Sequence, residues 1–136
     1  MEEQRIIGID FGEKRIGIAL SDPLMTFAYA HTTLQNDKNL WRNLSNIVIE
    51  MNVIRAVLGV PSNEKNSSLI KKIKDFKSTF QNKFNLVVLE WNEEYTSVIA
   101  QERIIESVAS KKKRRDKGLI DRNSAAIILQ EYLDGI

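Results

Sequence analysis

The chain has 136 residues, 43% hydrophobic and 28% charged, with a formal net charge of +2. That length suits one domain with its own core, and the composition is that of a globular protein without an apolar run long enough to span a bilayer. The absence of cysteine excludes disulfides, thiolate zinc sites and cysteine nucleophiles, and the single histidine leaves little for imidazole-based hydrolysis.

The opening "MEEQR" leads straight into a strand without the apolar stretch of a secretory signal, so a cytoplasmic location is expected. Residues 5–10 and 15–20 alternate and are rich in isoleucine, which predicts two strands joined by the glycine turn "FGEK". Asp10 closes the first strand. Burying an unpaired carboxylate is costly, so this group must be paired, neutral or bound to a cation. "SDPL" turns the chain, and Asp22 before Pro23 reads as a turn residue. Residues 27–33 make a third, weaker strand, in which His31 reads as a structural or surface residue. Leu40, Leu44, Ile47 and Met51 then recur at helical spacing after the start signal Asn36-Asp37, predicting a helix over 38–51. "IRAVLGV" over 54–60 is continuously apolar, as in a central parallel strand covered on both faces, and ends at Pro61. Leu69, Ile73, Phe76 and Phe80 predict a second helix, and "NLVVLEW" a further buried strand. Thr96 begins a helix to about residue 109, with Val98, Ile105 and Ala109 inward. The basic run "KKKRRDK" follows at 111–117, and a last helix over 121–133 buries Ala125, Ile128, Leu129 and Leu133. Trp41 and Trp91 read as packing residues rather than base-stacking platforms.

Three strands followed by alternating helices and strands predict an α/β fold: a mixed five-stranded sheet, a three-strand meander then two parallel strands, with helices on both faces. The whole chain, 1–136, is expected to be one domain. Ligands of such sheets gather outside the carboxyl ends of the parallel strands, and Asp10 stands at one of those ends. Parallel pairing of 54–60 with the first strand brings Gly59, Val60 and Pro61 near it. The strand over 86–90 runs into "EWNEEY", so Glu93 and Glu94 project from the same edge. Two steps across a sheet are roughly 10 Å, which a glutamate spans only if its loop folds back. Asp121, opening the final helix, is the third acid.

Three converging carboxylates repel one another unless divalent cations compensate them, and Mg²⁺ or Mn²⁺ suits oxygen ligands, waters and substrate phosphates. Two such ions, ~3.5–4 Å apart, activate a water and stabilise the leaving oxygen of a phosphodiester, chemistry that requires neither cysteine nor histidine. Each acid also has a plainer reading. Asp121 suits a helix N-cap, Asp10 a turn bonded to the "FGEK" backbone, and Glu93 and Glu94 a solvated loop. The basic run carries +5 while the rest of the chain sums to −3. It is either an electrostatic footprint for phosphates or a solvated loop. Lys14, Arg15, Lys111, Lys112, Lys113, Arg114, Arg115 and Lys117 are the candidate nucleic-acid contacts.

"GIDFGEKRIGIALSD" at 8–22, "VLGVP" at 57–61, "NEEYTS" at 92–97 and "IDRNSAAIILQEYL" at 120–133 resemble the ordered motifs of the YqgF family, also called RuvX-type proteins. The match covers residues 5–133, and four motifs in order at family-like spacing are specific. The resemblance implies an RNase H-like fold and phosphodiester hydrolysis with divalent metal. It also implies a bacterial role in maturing the 5′ end of pre-16S ribosomal RNA, with an older reading as a resolvase of four-way DNA junctions. The family's strand acid falls on Asp10, its loop glutamate on Glu93 and its helix aspartate on Asp121. Two departures stand beside the candidate site. The family's Asp-Glu-Arg is Asn92-Glu93-Glu94 here, and its glycine-bearing loop after "VP" is "SNEKNSS". They bear on substrate grip, and Glu94 or Glu64 is an alternative ligand.

Partners are accordingly a structured RNA such as pre-16S rRNA, or branched DNA, with no membrane, and the chain is a monomer or weak homodimer. "DFG" does not make this a kinase, which needs a much longer chain before that motif. A phosphate loop of the actin and Hsp70 type would lack the second domain that completes its pocket. The serious rival is an RNase H-like module that holds RNA or a ribosome-assembly partner without cutting. Glu94 favours that rival, and retention of Asp10, Glu93 and Asp121 favours the nuclease, because acids weaken simple binding of nucleic acid.

Overall fold

The computed structural model describes residues 3–61, 67–92 and 117–136, with 117–119 described by backbone alone. The expected hairpin forms from β1 (Arg5–Asp10) and β2 (Arg15–Ser21). Its turn needs glycine at position 12, where a Cβ would run into the Arg15 carbonyl. Asp22 shapes the next connection: its Oδ1 accepts the backbone N–H groups of Phe27 and Thr26, both at 2.8 Å. Those bonds, that of Phe27 foremost, hold its carboxyl below the ordinary aspartate value. The chain then returns as β3 (Ala28–Gln35), antiparallel to β2.

Beyond the meander come α1 (Leu40–Glu50), β4 (Val53–Val60), α2 (Ser67–Phe84), β5 (Val87–Asn92) and α3 (Lys117–Asp134). The sheet order is β3-β2-β1-β4-β5, with β4 parallel to β1 and β5 parallel to β4. This is the mixed five-stranded sheet anticipated above. Strand alternation divides the core in two. Ile7 and Ile9 join Leu58, Ile73, Phe76 and Phe80 beneath α1 and α2. Ile6, Ala19 and Val57 join Ala125, Ile128 and Leu129 beneath α3. The Trp41 ring lies 5.1 Å from that of Phe76, tilted by only 26°. Among the described residues no helix is long and apolar enough to cross a membrane.

Three expectations change. The start signal Asn36-Asp37 does not cap α1, which begins at Leu40 after Asn39 with no side-chain cap bond. Asp37 instead accepts the Asn39 N–H at 2.9 Å and closes the turn before the helix. β5 is not a buried strand but an edge strand: Val88 is buried whereas Val87 is 59% exposed. Its "VVLEW" run cannot reveal how many neighbours the strand will have. α3 begins at Lys117, so Asp121 lies a full turn inside the helix instead of opening it. The helix expected over 96–109, with Val98, Ile105 and Ala109, lies outside the described residues. His31 sits on β3 with Tyr29 edge-on at 6.5 Å. Burial, and secondly the Arg5 charge, hold its pKa below the ordinary 6.5.

Candidate functional site

β1 ends in Asp10, whose backbone stands opposite Gly17 of β2 on one side and Gly59 of β4 on the other. Side chains two residues apart share a face of the sheet. Ile6 faces α3, and a Cβ at Gly8 would lie 2.7 Å from the Leu129 Cβ and 2.9 Å from the Ala125 carbonyl. Asp10 therefore projects to the α3 face. At Gly17 the approach is closer still, because a Cβ there would meet the Asp121 carbonyl. Two glycines thus let α3 lie directly on the hairpin, and the first stretch of α3 brings Asp121 to the strand row that holds Asp10. Both carboxylates belong to one face at the carboxyl end of β1, from opposite ends of the chain.

Arg15 fastens this arrangement. It lies two residues before Gly17, on the same face, and its Nε donates to Asp121 Oδ2 at 3.1 Å. Its neighbour on α3, Arg122, donates to the Thr33 hydroxyl at 3.2 Å, in the β3 position registered with Gly17. The start of α3 is therefore tied across β2 and β3 by two guanidinium groups. The cap reading of Asp121 fails, since the residue lies inside the helix and its carboxylate turns to Arg15.

The remaining expected residues distribute as follows. Trp91 stands in the row of Gly59 and Asp10, and its Nε1 donates to Glu131 of α3 at 2.8 Å. β5 ends at Asn92, and the next residue, Glu93, lies outside the described residues, as do Glu94, Glu64, Lys111, Lys112, Lys113, Arg114 and Arg115. Lys117 is the first residue of α3. Lys14 is exposed in the hairpin turn, its carbonyl accepting the Asn36 N–H at 2.9 Å. Among the described residues no three acidic or imidazole side chains form a metal-sized group. Asp10 and Asp121 offer carboxylate oxygens, donors of the kind that hard divalent cations take and soft metals do not. Reasoning from sequence missed the hold of Arg15 on Asp121. The only signal was the pair of glycines, Gly8 and Gly17, at alternate strand positions facing a helix that carries an acid.

Comparison with known proteins identifies the family and the fold. The model of the RuvX family, described as Holliday junction resolvase, matches residues 4–135. A relative from Syntrophomonas wolfei named "Putative pre-16S rRNA nuclease" is 39% identical, over 96% of this chain and 94% of its own. A relative of the same name from Listeria monocytogenes serotype 4b is 35% identical, over 96% and 97%. Among solved structures, T. thermophilus RuvC in complex with a Holliday junction substrate superposes with a TM-score of 0.62. It is 12% identical and covers 97% of this chain and 94% of that one, a likeness of fold.

Proposed function

The chain belongs to the RuvX family, and from that premise we propose that it is a divalent-metal phosphodiesterase processing the 5′ end of pre-16S ribosomal RNA in the cytoplasm. The observation that supports the reading is the placement of Asp10 at the carboxyl end of β1, in register with Gly17, against which the Asp121 backbone closes, at the end of the sheet where such folds bind ligands. Asp10, Asp121 and Glu93 would hold Mg²⁺ or Mn²⁺. Ions bound there supply an activated water and charge for the leaving oxygen. Arg15 fixes the rotamer of Asp121 by holding one of its oxygens, leaving the other for a cation. Lys14 and the basic residues 111–115 and 117 offer the phosphate contacts that bring a strand to the acids. The whole chain acts as one nuclease domain, as a monomer or weak homodimer.

The family description favours a second reading, cleavage of four-way DNA. One experiment separates the two. Purified protein is incubated with Mn²⁺ or Mg²⁺ and end-labelled rRNA-precursor fragments, single-stranded RNA or four-way DNA, beside Asp10→Asn. The proposal expects cleavage of the precursor RNA that is lost in the variant. Cutting of the junction alone would transfer the activity to DNA, and equal cutting by wild type and variant would remove Asp10 from the chemistry.

A further inference from the structure

On the opposite face of the sheet from Asp10, a groove of about 380 Å³ opens between the hairpin turn, the start of α1 and the middle of α2. Its aromatic wall is formed by Phe11, Phe76 and Trp41. Phe76 is 5% exposed and sits between the other two, with ring centroids 5.2 Å from Phe11 and 5.1 Å from Trp41. Phe11 and Trp41 are only half-buried. The rim is polar: Glu13 pairs with Lys72 at 3.5 Å across the groove, and Asp75 and Thr79 line its α2 side. Lys83 places its ammonium 5.7 Å above the Trp41 ring.

Here two large flat side chains border open space, among groups able to donate and accept hydrogen bonds at a heterocycle's edge. The position also matters. Phe11 directly follows Asp10 and packs against the core beneath α1 and α2, so the carboxylate and the ring stand on opposite faces at the carboxyl end of β1. A strand whose phosphodiester lies at Asp10 carries a neighbouring base across that end to Phe11. Aromatic rings take any base by its face.

We propose that this groove binds one unpaired nucleobase of the substrate strand, stacked beside Phe11 and Trp41, next to the phosphodiester held at Asp10. The inference deepens the nuclease reading and rests on it. It implies that a single-stranded segment, RNA or DNA, is required at the site, since a paired base cannot leave its stack without cost.

Trp41 reports on the groove directly. The chain has two tryptophans, so Trp91→Phe leaves Trp41 as the sole indole, read by excitation at the red edge that tyrosine does not absorb. This protein is titrated in EDTA, where no cutting occurs, with a fluorescein-labelled single strand as RNA and as DNA, the same strand bearing abasic positions, and a blunt duplex. Label anisotropy reads total binding, and Trp41 emission reads the groove. The expected result is saturable quenching by the single strand, weakened about tenfold by abasic positions and about tenfold by Phe11→Leu. Circular dichroism and thermal melting check that the variants remain folded. The RNA and DNA arms tell which sugar the groove prefers. Binding seen by anisotropy with unchanged Trp41 emission, or quenching equal for abasic and intact strands, would overturn the groove while leaving the nuclease reading in place. Absence of binding in both signals would overturn the groove, and the metal-dependent cleavage assay decides the nuclease reading separately.

Discussion

On one face of the sheet, α1 and α2 stand away from the strands on large side chains, Ile73, Phe76 and Phe80 among them. On the other, α3 lies against the strand backbones at Gly8 and Gly17. The first face is filled by volume and can relax when a side chain changes. The second is set by backbone contact and has no slack, and it is the face that carries Asp10, Arg15 and Asp121. A site made of carboxylates from the two ends of a chain needs such stiffness, because a small displacement of α3 would separate its parts.

The sharpest way to break that contrast is Gly17→Ala. The new methyl meets the Asp121 carbonyl, so α3 must lift, and a loss of about 3 kcal/mol is expected in chemical denaturation. A cost under about 1 kcal/mol would show that the helix is free to move. Phe80→Leu, at a fully buried position on the opposite face, should cost less, roughly 1–2 kcal/mol, because α2 can settle into part of the space. If the two costs reverse, the description of the faces is wrong. Arg15→Met keeps much of the buried stem and removes the ion pair, whose side chains are 29% and 24% exposed. A loss of about 1 kcal/mol is expected, shrinking in high salt. The smallest effect belongs to His31 on β3. Its folded-state pKa lies below 6.5, so the unfolded chain binds more protons as the pH falls through that value. Stability is fully present above about pH 6.5 and declines below it. His31→Gln should narrow the difference in melting temperature between about pH 7.5 and about pH 5.5. An unchanged difference would assign the acid sensitivity elsewhere.

Much of the fold was legible because it is local. The alternation of "RIIGID" and "RIGIAL", the unbroken run of β4 and the spacing of Ile73, Phe76 and Phe80 each state a period and a buried face. The parallel pairing of β1 with β4, which sets Asp10 beside Gly59, followed from element order. What stayed illegible depends on partners distant in sequence. β5 has the same apolar letters as a central strand but lies at the edge of the sheet. The start of α3 was obscured by the charge run before it, and Asp121 looked like a cap because cap and ligand use the same side chain. The bond from Arg15 to Asp121 joins residues 106 positions apart. Within the candidate site, Asp10 and Asp121 were readable as acids, but the residue that orients one of them was not.

The central claim is that Asp10 and Asp121 serve one cation site, and calorimetric titration with Mn²⁺ tests it without any substrate. Asp10→Asn and Asp121→Asn should each weaken binding about tenfold or more, and the double variant should lose little beyond either, since a site broken once has little left to lose. Binding unchanged by either substitution, or losses that simply add, would mean that the two carboxylates do not share an ion.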